Sequence, residues 1–384
     1  MKILFLTYHG FDLASGISKK MLAQIKGLRQ NGHEVHICSY GYNNQGHLCR
    51  FADDIVLKDY GRGLKAAVLQ RLDYGCIIDY CMQQDIELVY ARSYMNATYP
   101  LVRLFKRIRQ LGIHRIMEIP TYPYDQEFRG YDWNQRLRLF VDKIYRRQLA
   151  EQMDAIVTFS DEKTIFGQRT ICISNGVDME TIPLLNSRPD ISREIHVIAV
   201  AEVHSWHGFD RFIHGMGEYY KKNKGKSFRN IYFHIVGDVW KSEMEGSKLA
   251  PGYASYIREY DIGEFVIFHG KLFGEKLNEV FNVCSFGVGS LARHRSGIVA
   301  IKTLKNREYA CRGIPFVYSE QDSDFDCQPY VLKVPANEEP VNMDDVISLL
   351  DSLTMSPQEI RDSIRHLSWK IQMQKVIEQL LNIV

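Results

Sequence analysis

Nowhere along this 384-residue chain do about eighteen apolar residues run together, so no helix able to span a bilayer is expected. Its eight cysteines (Cys38, Cys49, Cys76, Cys81, Cys172, Cys284, Cys311 and Cys327) form no CxxC pair and keep no zinc-like spacing to histidine. Reduced core thiols are therefore predicted, with neither a disulfide framework nor a bound metal. No GxGxxG follows an apolar run, which leaves out the dinucleotide fingerprint. Short repeats and low-complexity tracts are missing too. The formal net charge is only +2, with 24% charged and 45% hydrophobic residues, close to the globular average. Those proportions exclude a disordered chain, and no nucleic-acid partner is expected.

What charge there is gathers in one place. Residues 103–147 hold eleven Lys or Arg against five acids, which predicts a basic surface. It suits a peripheral hold on anionic lipid, and a solvated helical face equally well. The opening Met1-Lys2-Ile3-Leu4-Phe5-Leu6 is followed at once by His9, Asp12 and Lys19, without a small-residue cleavage site. It reads as a first strand, and a cytoplasmic protein is expected, held peripherally at the inner face of the cell membrane if the lipid reading is right.

The length suggests two domains. An apolar run at Lys2–Tyr8, a glycine-bearing loop, a helical period through Met21, Ile25 and Leu28, an Asn31-Gly32 stop and a second apolar run at Glu34–Ser39 make a βαβ unit. Strands are predicted at 88–91, 115–118, 155–158 and 169–173, with helices near 64–84, 98–111 and 134–152; a parallel sheet fits this order. The pattern loosens at Ser187-Arg188-Pro189-Asp190 and a second alternating series starts at Ile195, with strands at 231–236, 266–268, 285–289 and 316–318. The last stretch, from Ser368, has helical periodicity.

Several segments carry candidate chemistry. The Gly10–Gly16 loop puts backbone N–H groups and a helix start at a strand's carboxyl end, which suits a phosphate or serves turn geometry alone. Asn175-Gly176 reads first as a tight turn. In Trp206-His207-Gly208-Phe209-Asp210-Arg211, His207 could donate to a phosphate or sugar oxygen, or pack structurally. The richest stretch runs from Ser290 to Tyr318, where Arg293, His294, Arg295, Lys302, Lys305 and Arg307 surround the carboxylate of Glu308. Cations there suit a departing diphosphate and Glu308 suits a ribose diol; the plain alternative is a solvated helix with Lys305 and Glu308 paired. Glu118 through Glu127, stiffened by Pro120 and Pro123, could hold an acceptor hydroxyl or form a rigid turn. Asp322-Ser323-Asp324-Phe325-Asp326 has the look of a metal-binding run, though a solvated loop is preferred.

Five segments in register resemble the retaining glycosyltransferases of the GT-B fold, family four, over essentially the whole chain. They are Asn31-Gly32-His33-Glu34-Val35, Ile173-Ser174-Asn175-Gly176-Val177-Asp178, His207-Gly208-Phe209-Asp210, Val266-Ile267-Phe268-His269-Gly270 and Glu308-Tyr309-Ala310-Cys311-Arg312-Gly313-Ile314-Pro315. The segments around Trp206, Glu118 and Leu304 are also similar to a bacterial subgroup that makes capsules, exopolysaccharides and lipopolysaccharides. The resemblance implies an α/β GT-B fold of two Rossmann-like parallel-sheet domains facing across a cleft. It places the acceptor side at 1–185, the nucleotide-sugar side at 186–366 and a C-terminal helix, 367–384, docked on the first domain. The implied reaction moves a hexose or N-acetylhexosamine from a nucleotide sugar, UDP-linked by preference, to an oligosaccharide or lipid-linked surface-glycan acceptor. Neither a cofactor nor a metal is implied.

By the same resemblance Glu308 holds the ribose, Gly270 and Lys271 flank the base, and Gly16 approaches the diphosphate. Departures from the family pattern shape the rest. The Arg and Lys that usually grip the diphosphate fall on Glu202 and His207, so Lys305 and Arg295 are expected to replace them, with His207 assisting. The first of the paired glutamates falls on Ala300. The usual first-domain histidine has no clear counterpart; the catalytic candidates are Glu118, Thr121 and Asp125, with His207 from the second domain. A catalytically degenerate protein that binds a glycan or a partner, and a sugar-nucleotide epimerase, are the other readings.

Overall fold

The structure is a computed structural model that describes residues 1–11, 15–93, 95–125, 133–246 and 251–383. The chain forms two compact units, Met1–Gly176 with Ser368–Val384, and Val177–Leu367.

Unit 1 runs β1 (Lys2–Leu6), α1 (Gly16–Gln30), β2 (Glu34–Tyr42), β3 (Leu48–Ala52), β4 (Ile55–Asp59), α2 (Gly63–Leu72), α3 (Gly75–Gln83), β5 (Leu88–Arg92), α4 (Tyr99–Gln110), β6 (His114–Ile119), α5 (Trp133–Ala150), β7 (Ala155–Thr158), β8 (Thr164–Ile165) and β9 (Gln168–Cys172). Its sheet has the order β4-β3-β2-β1-β5-β6-β7-β9-β8. The strands from β2 to β9 in that order are parallel, while β3, β4 and β8 add antiparallel edges. The sheet is thus mixed, where the sequence pattern had suggested parallel strands alone. The single helical stretch expected at 64–84 is two helices. Asp73 leaves helical geometry, and its Oδ1 accepts the Gly75 N–H at 3.1 Å, starting α3.

Strand alternation explains why both faces are covered. In β1, Leu4 and Leu6 join a core with Ile77, Leu101, Phe105 and Ile108 of α3 and α4, whereas Ile3 and Phe5 join one with Met21, Ile25 and Leu28 of α1.

Unit 2 runs β10 (Glu194–Val200), α6 (Phe209–Asn223), β11 (Asn230–Val236), α7 (Lys241–Glu245), α8 (Tyr253–Tyr260), β12 (Val266–Gly270), α9 (Glu275–Val283), β13 (Phe286–Val288), α10 (Leu304–Arg312), β14 (Phe316–Tyr318), β15 (Val331–Lys333), α11 (Met343–Ser352) and α12 (Pro357–Ser363). All six strands are parallel, in the order β12-β11-β10-β13-β14-β15. Numbered from β10, this is the 3-2-1-4-5-6 order of a Rossmann sheet, with its switch point between β10 and β13. Unit 2 begins at Val177, ahead of the loosened 187–190 stretch, because Val177 and Leu185 are buried in its core and the Leu185 N–H bonds to the Arg312 carbonyl.

The last helix, α13 (Trp369–Leu381), belongs to unit 1. Ser368 caps it, and Trp369, Met373, Val376, Ile377 and Leu380 complete the core on the α1 face. The approach is close: a Cβ on Gly27 of α1 would lie 2.7 Å from the Trp369 carbonyl oxygen.

Across β10, β11 and β12 runs a chain of imidazoles. His196 Nδ1 and His234 Nε2 are 2.8 Å apart, and His234 Nδ1 and His269 Nε2 are 2.9 Å apart. Burial, then the charges of His196 and His269, pull His234 down to about 4. The folded state therefore refuses a proton that the unfolded chain takes up below about pH 6.5. The share of stability that His234 contributes should fall as pH drops from about 6.5 to about 4, by roughly 3 kcal/mol at most. Urea midpoints measured across this window should show that slope, and a His234→Phe variant should flatten it; an unchanged slope would assign the acid sensitivity elsewhere.

Candidate functional site

In unit 2 the loops that follow β10, β13 and β14 come together at the switch point, where an open parallel sheet takes its ligands. After β10 the chain makes a short 3-10 turn, Ser205–His207, and enters α6 through Gly208 at φ 64°. Only glycine fits: a Cβ there would lie 2.8 Å from Ala292 Cβ and 2.9 Å from its backbone nitrogen. The Leu291 N–H donates to the His207 carbonyl at 2.8 Å, locking this turn onto the loop after β13.

His207 is buried, and its Nδ1 accepts the His204 N–H at 3.0 Å, which puts the neutral ring's proton on Nε2. Burial, then the Lys305 and Arg293 charges, hold the imidazole far below its ordinary value. His207 is thus a neutral ring with Nε2 as its donor.

α10 is fixed by Arg307. Its guanidinium is fully buried, donates to Asp322 at 2.8 and 3.2 Å and to Asp324, and also reaches the Thr303 carbonyl. Asp326 accepts from Tyr318 and pairs with Lys333. The acidic run at 322–326 therefore holds protein cations and a phenol: Asp322 is buried with Arg307, while Ser323 and Asp326 stay exposed.

The anchored helix brings Lys305 and Asn306 to the ends of β13 and β14. Lys305 Nζ lies 5.8 Å from the Phe209 ring centroid, and Asn306 Oδ1 would lie 2.8 Å from a Cβ on Gly289. Beside them is Glu320, which follows β14 and is 2% exposed. Seven buried polar atoms meet here without a hydrogen-bond partner: Ser290 Oγ, Thr303 Oγ1, Lys305 Nζ, both amide atoms of Asn306 and both carboxylate oxygens of Glu320. Buried polar groups are nearly always bonded, and each orphan costs about 1–3 kcal/mol. So dense a group of them asks for a polar ligand. Burial pushes Glu320 up against the opposing charges of Lys305 and Arg293; burial and Arg293 pull Lys305 down against Glu320. α10 has no acid in its first turn, so its N-terminal N–H groups add to the attraction for an anion.

The other predicted residues divide sharply. Arg295 is spent: it donates to Asp210 at 2.7 and 3.0 Å, to Glu338 and to the Ser205 carbonyl, tying its loop to α6. In this structure it acts as a clamp, with its guanidinium directed to protein carboxylates. Glu308 pairs with Arg312 at 3.0 Å, one turn on, and not with Lys305; only its Oε1 is engaged, leaving a half-buried carboxylate near the site. Gly270, at φ 64°, ends β12, and Lys271 pairs with Asp238 at 2.6 Å at the exposed tip of that loop pair. The loop is held by Gly237, whose N–H donates to the Gly270 carbonyl.

In unit 1 Glu118 is fully buried. Its carboxylate accepts from Gln24 and Tyr90, each at 2.6 Å, and faces Lys20 at 3.4 Å. Burial raises its carboxyl, but Lys20, Arg92 and these hydrogen bonds outweigh that and leave it below the ordinary value. Glu118 is thus held inside the unit by its own partners. Asp125 is bound by Arg146 at 2.7 Å and Lys143 at 3.2 Å, so it too is an anchor. Thr121 sits half-buried in the bend after β6, and Gln126 and Glu127 of the same predicted loop lie outside the described residues. Gly16 opens α1 with clear space where a Cβ would stand.

Glu320, Asn306, Ser290 and Thr303 were not singled out from sequence. The available signal was position: Ser290 and Glu320 fall just past β13 and β14, beside the switch point. A surface hollow of about 650 Å³ lined by Arg193, Glu194, Asn223 and Asn230 opens at the opposite, amino-terminal edge of the sheet and shares none of these groups.

No family model matches the chain, and no curated protein matches it significantly. Solved structures do. Sucrose-phosphate synthase from Thermosynechococcus elongatus aligns over 100% of this chain and 99% of its own, with a TM-score of 0.63 at 13% identity. An E. coli trehalose-6-phosphate structure bound with UDP-2-fluoro glucose aligns over 100% of both chains, with a TM-score of 0.57 at 13% identity. A UDP-N-acetylglucosamine 2-epimerase structure from Listeria monocytogenes covers 99% of this chain and 95% of its own, at a TM-score of 0.53 and 9% identity. The chain has the GT-B fold, two Rossmann-like units in succession.

Proposed function

We propose that the protein is a retaining, metal-independent glycosyltransferase that draws a hexose or N-acetylhexosamine from a UDP-linked donor. The acceptor in this reading is a bacterial surface glycan, free or lipid-linked, met by a protein held peripherally at the membrane. The observation that carries the proposal is the set of orphaned polar atoms beside β13 and β14. A nucleotide sugar supplies what they lack. Its diphosphate meets Lys305, Arg293 and the start of α10, whose positive charge stabilises the departing nucleoside diphosphate. Its hydroxyl groups meet Glu320, which can accept two hydrogen bonds, and Asn306, which can both donate and accept. Ribose binding falls to Glu308. Sugar-nucleotide ligation in the E. coli structure of the same fold supports the choice of ligand.

One observation favours a second reading. Among the described residues the two first-domain carboxylates predicted for an acceptor, Glu118 and Asp125, are both held in ion pairs. An epimerase uses no acceptor. Incubation with a UDP-sugar alone separates the two: conversion to an isomeric UDP-sugar supports epimerisation, whereas slow hydrolysis to UDP and free sugar supports transfer.

UDP or a UDP-sugar should raise the melting temperature of the wild-type protein. Lys305→Met and Glu320→Gln should each cut donor turnover at least tenfold. The double variant should match or exceed wild-type stability, because it removes two buried charges that lack direct partners, yet it should lose the nucleotide-induced shift. A double variant that still responds fully to nucleotide would move the site elsewhere. Because burial pulls the Lys305 ammonium down, nucleotide affinity should weaken as pH rises above neutral. Lys305→Arg, whose charge does not titrate there, should hold its affinity. Equal slopes for both proteins would remove Lys305 from the phosphate contact.

A further inference from the structure

The exposed apolar side chains of unit 1 are not scattered. Trp133, Leu137, Phe140 and Ile144 of α5 are 75, 50, 61 and 49% exposed. At about 100° per residue their spacing puts them in one stripe roughly 60° wide. The opposite face of α5 is the one that meets the unit: Leu139 and Tyr145 pack against the core, Asp142 accepts the Ala97 N–H at 3.0 Å and Tyr145 packs against Tyr99. Before Asp142 the helix buries no residue.

The same helix carries Arg136, Arg138, Lys143, Arg146 and Arg147 against one acid, the buried Asp142. Its neighbour α4 exposes Arg103, Lys106, Arg107 and Arg109 and has no acid at all. The facing carboxylates among the described residues are Asp125, held by Arg146 and Lys143, and Glu151, 3.8 Å from Arg147. On the far side of α4, α2 repeats the pattern with Leu64, Val68 and Leu72 exposed one turn apart, beside Lys65 and Arg71.

We infer that the α2–α4–α5 face is a docking surface for an anionic phospholipid bilayer, with the first half of α5 lying in the interface and its Trp133–Ile144 stripe among the acyl chains. Charge selects this occupant. A second copy meeting the same face would bring together two rows in which Lys and Arg outnumber their paired carboxylates, whereas a bilayer offers anionic headgroups to the cations and hydrocarbon to the stripe. A strongly basic helix with an aromatic and aliphatic stripe is the form that lies in the plane of a membrane. The inference gives the peripheral hold its residues, but it does not depend on which reaction unit 2 performs.

The test uses the full chain and sedimentation with vesicles of phosphatidylcholine alone or mixed with phosphatidylglycerol. The protein should pellet with the phosphatidylglycerol vesicles only, and added salt should weaken the binding. Leu137→Glu/Phe140→Glu should reduce binding at least tenfold, and Arg136→Ser/Arg138→Ser should reduce it severalfold. Both variants should keep a melting temperature close to that of the wild type, since Leu137 and Phe140 are half or more exposed and lie outside the core. Nucleotide-induced stabilisation should be the same in both, so failure of the donor site and failure of the membrane surface read out separately. Binding that ignores lipid charge, or a Leu137→Glu/Phe140→Glu variant that pellets like wild type, overturns the inference. So does a wild-type dimer in light scattering that the same double variant splits, which would make the stripe a contact between copies.

Discussion

The candidate site in unit 2 rests on one buried ion pair cluster. Arg307 lies fully inside, and its guanidinium is shared between Asp322, Asp324 and the Thr303 carbonyl. Burying such a cluster gains little net stability over apolar packing, but leaving any member unpaired is costly. Its effect is therefore to fix position. It sets the register of α10 against the loop after β14, and so decides where Lys305 and Asn306 stand relative to Glu320. The Arg295 clamp does the same for the loop after β13. Two arginines that looked from sequence like ligands for a diphosphate are the ones that position the candidate site.

Each unit buries a glutamate at the carboxyl end of a parallel strand, and the two differ in what surrounds them. Glu118 near the end of β6 is met by Lys20, Gln24 and Tyr90. Glu320 after β14 has no hydrogen-bond partner for either oxygen. A fully satisfied buried carboxylate rigidifies its own unit, and an unsatisfied one in a group of orphans marks a place prepared for something else. This contrast, more than the presence of charge, is what marks the unit 2 cluster as the candidate site.

Much of the fold was legible. Alternation in β1 and β10, the helical period of α1 and the switch to a second alternating series follow from side-chain periodicity, which local sequence carries directly. The β3–β4 hairpin was not seen, although Asn43 to His47 and Asp53-Asp54 are turn-forming pairs of its boundaries, and Asp53 does adopt φ 50°. For the site, clustering of charge led to Lys305 and Glu308. It could not show that Arg295 is neutralised by Asp210 and Glu338, which are distant in sequence and adjacent only in the fold. Glu320 was missed for the converse reason: it stands alone in sequence, and its neighbours are brought to it by α10 and β13.

The return of α13 to unit 1 has a bearing on how the protein is made. The core on the α1 face of the first sheet is closed by Trp369, Met373, Val376 and Leu380, which leave the ribosome after all of unit 2. Unit 2 is continuous in sequence and can fold as soon as it emerges, whereas unit 1 must wait with one face of its sheet uncovered. The first half to be synthesised is thus the last to be finished. During that interval Ile3, Phe5, Met21 and Ile25 are open to mispairing or to a chaperone, and it is there that damage to the final turn of the chain would be felt.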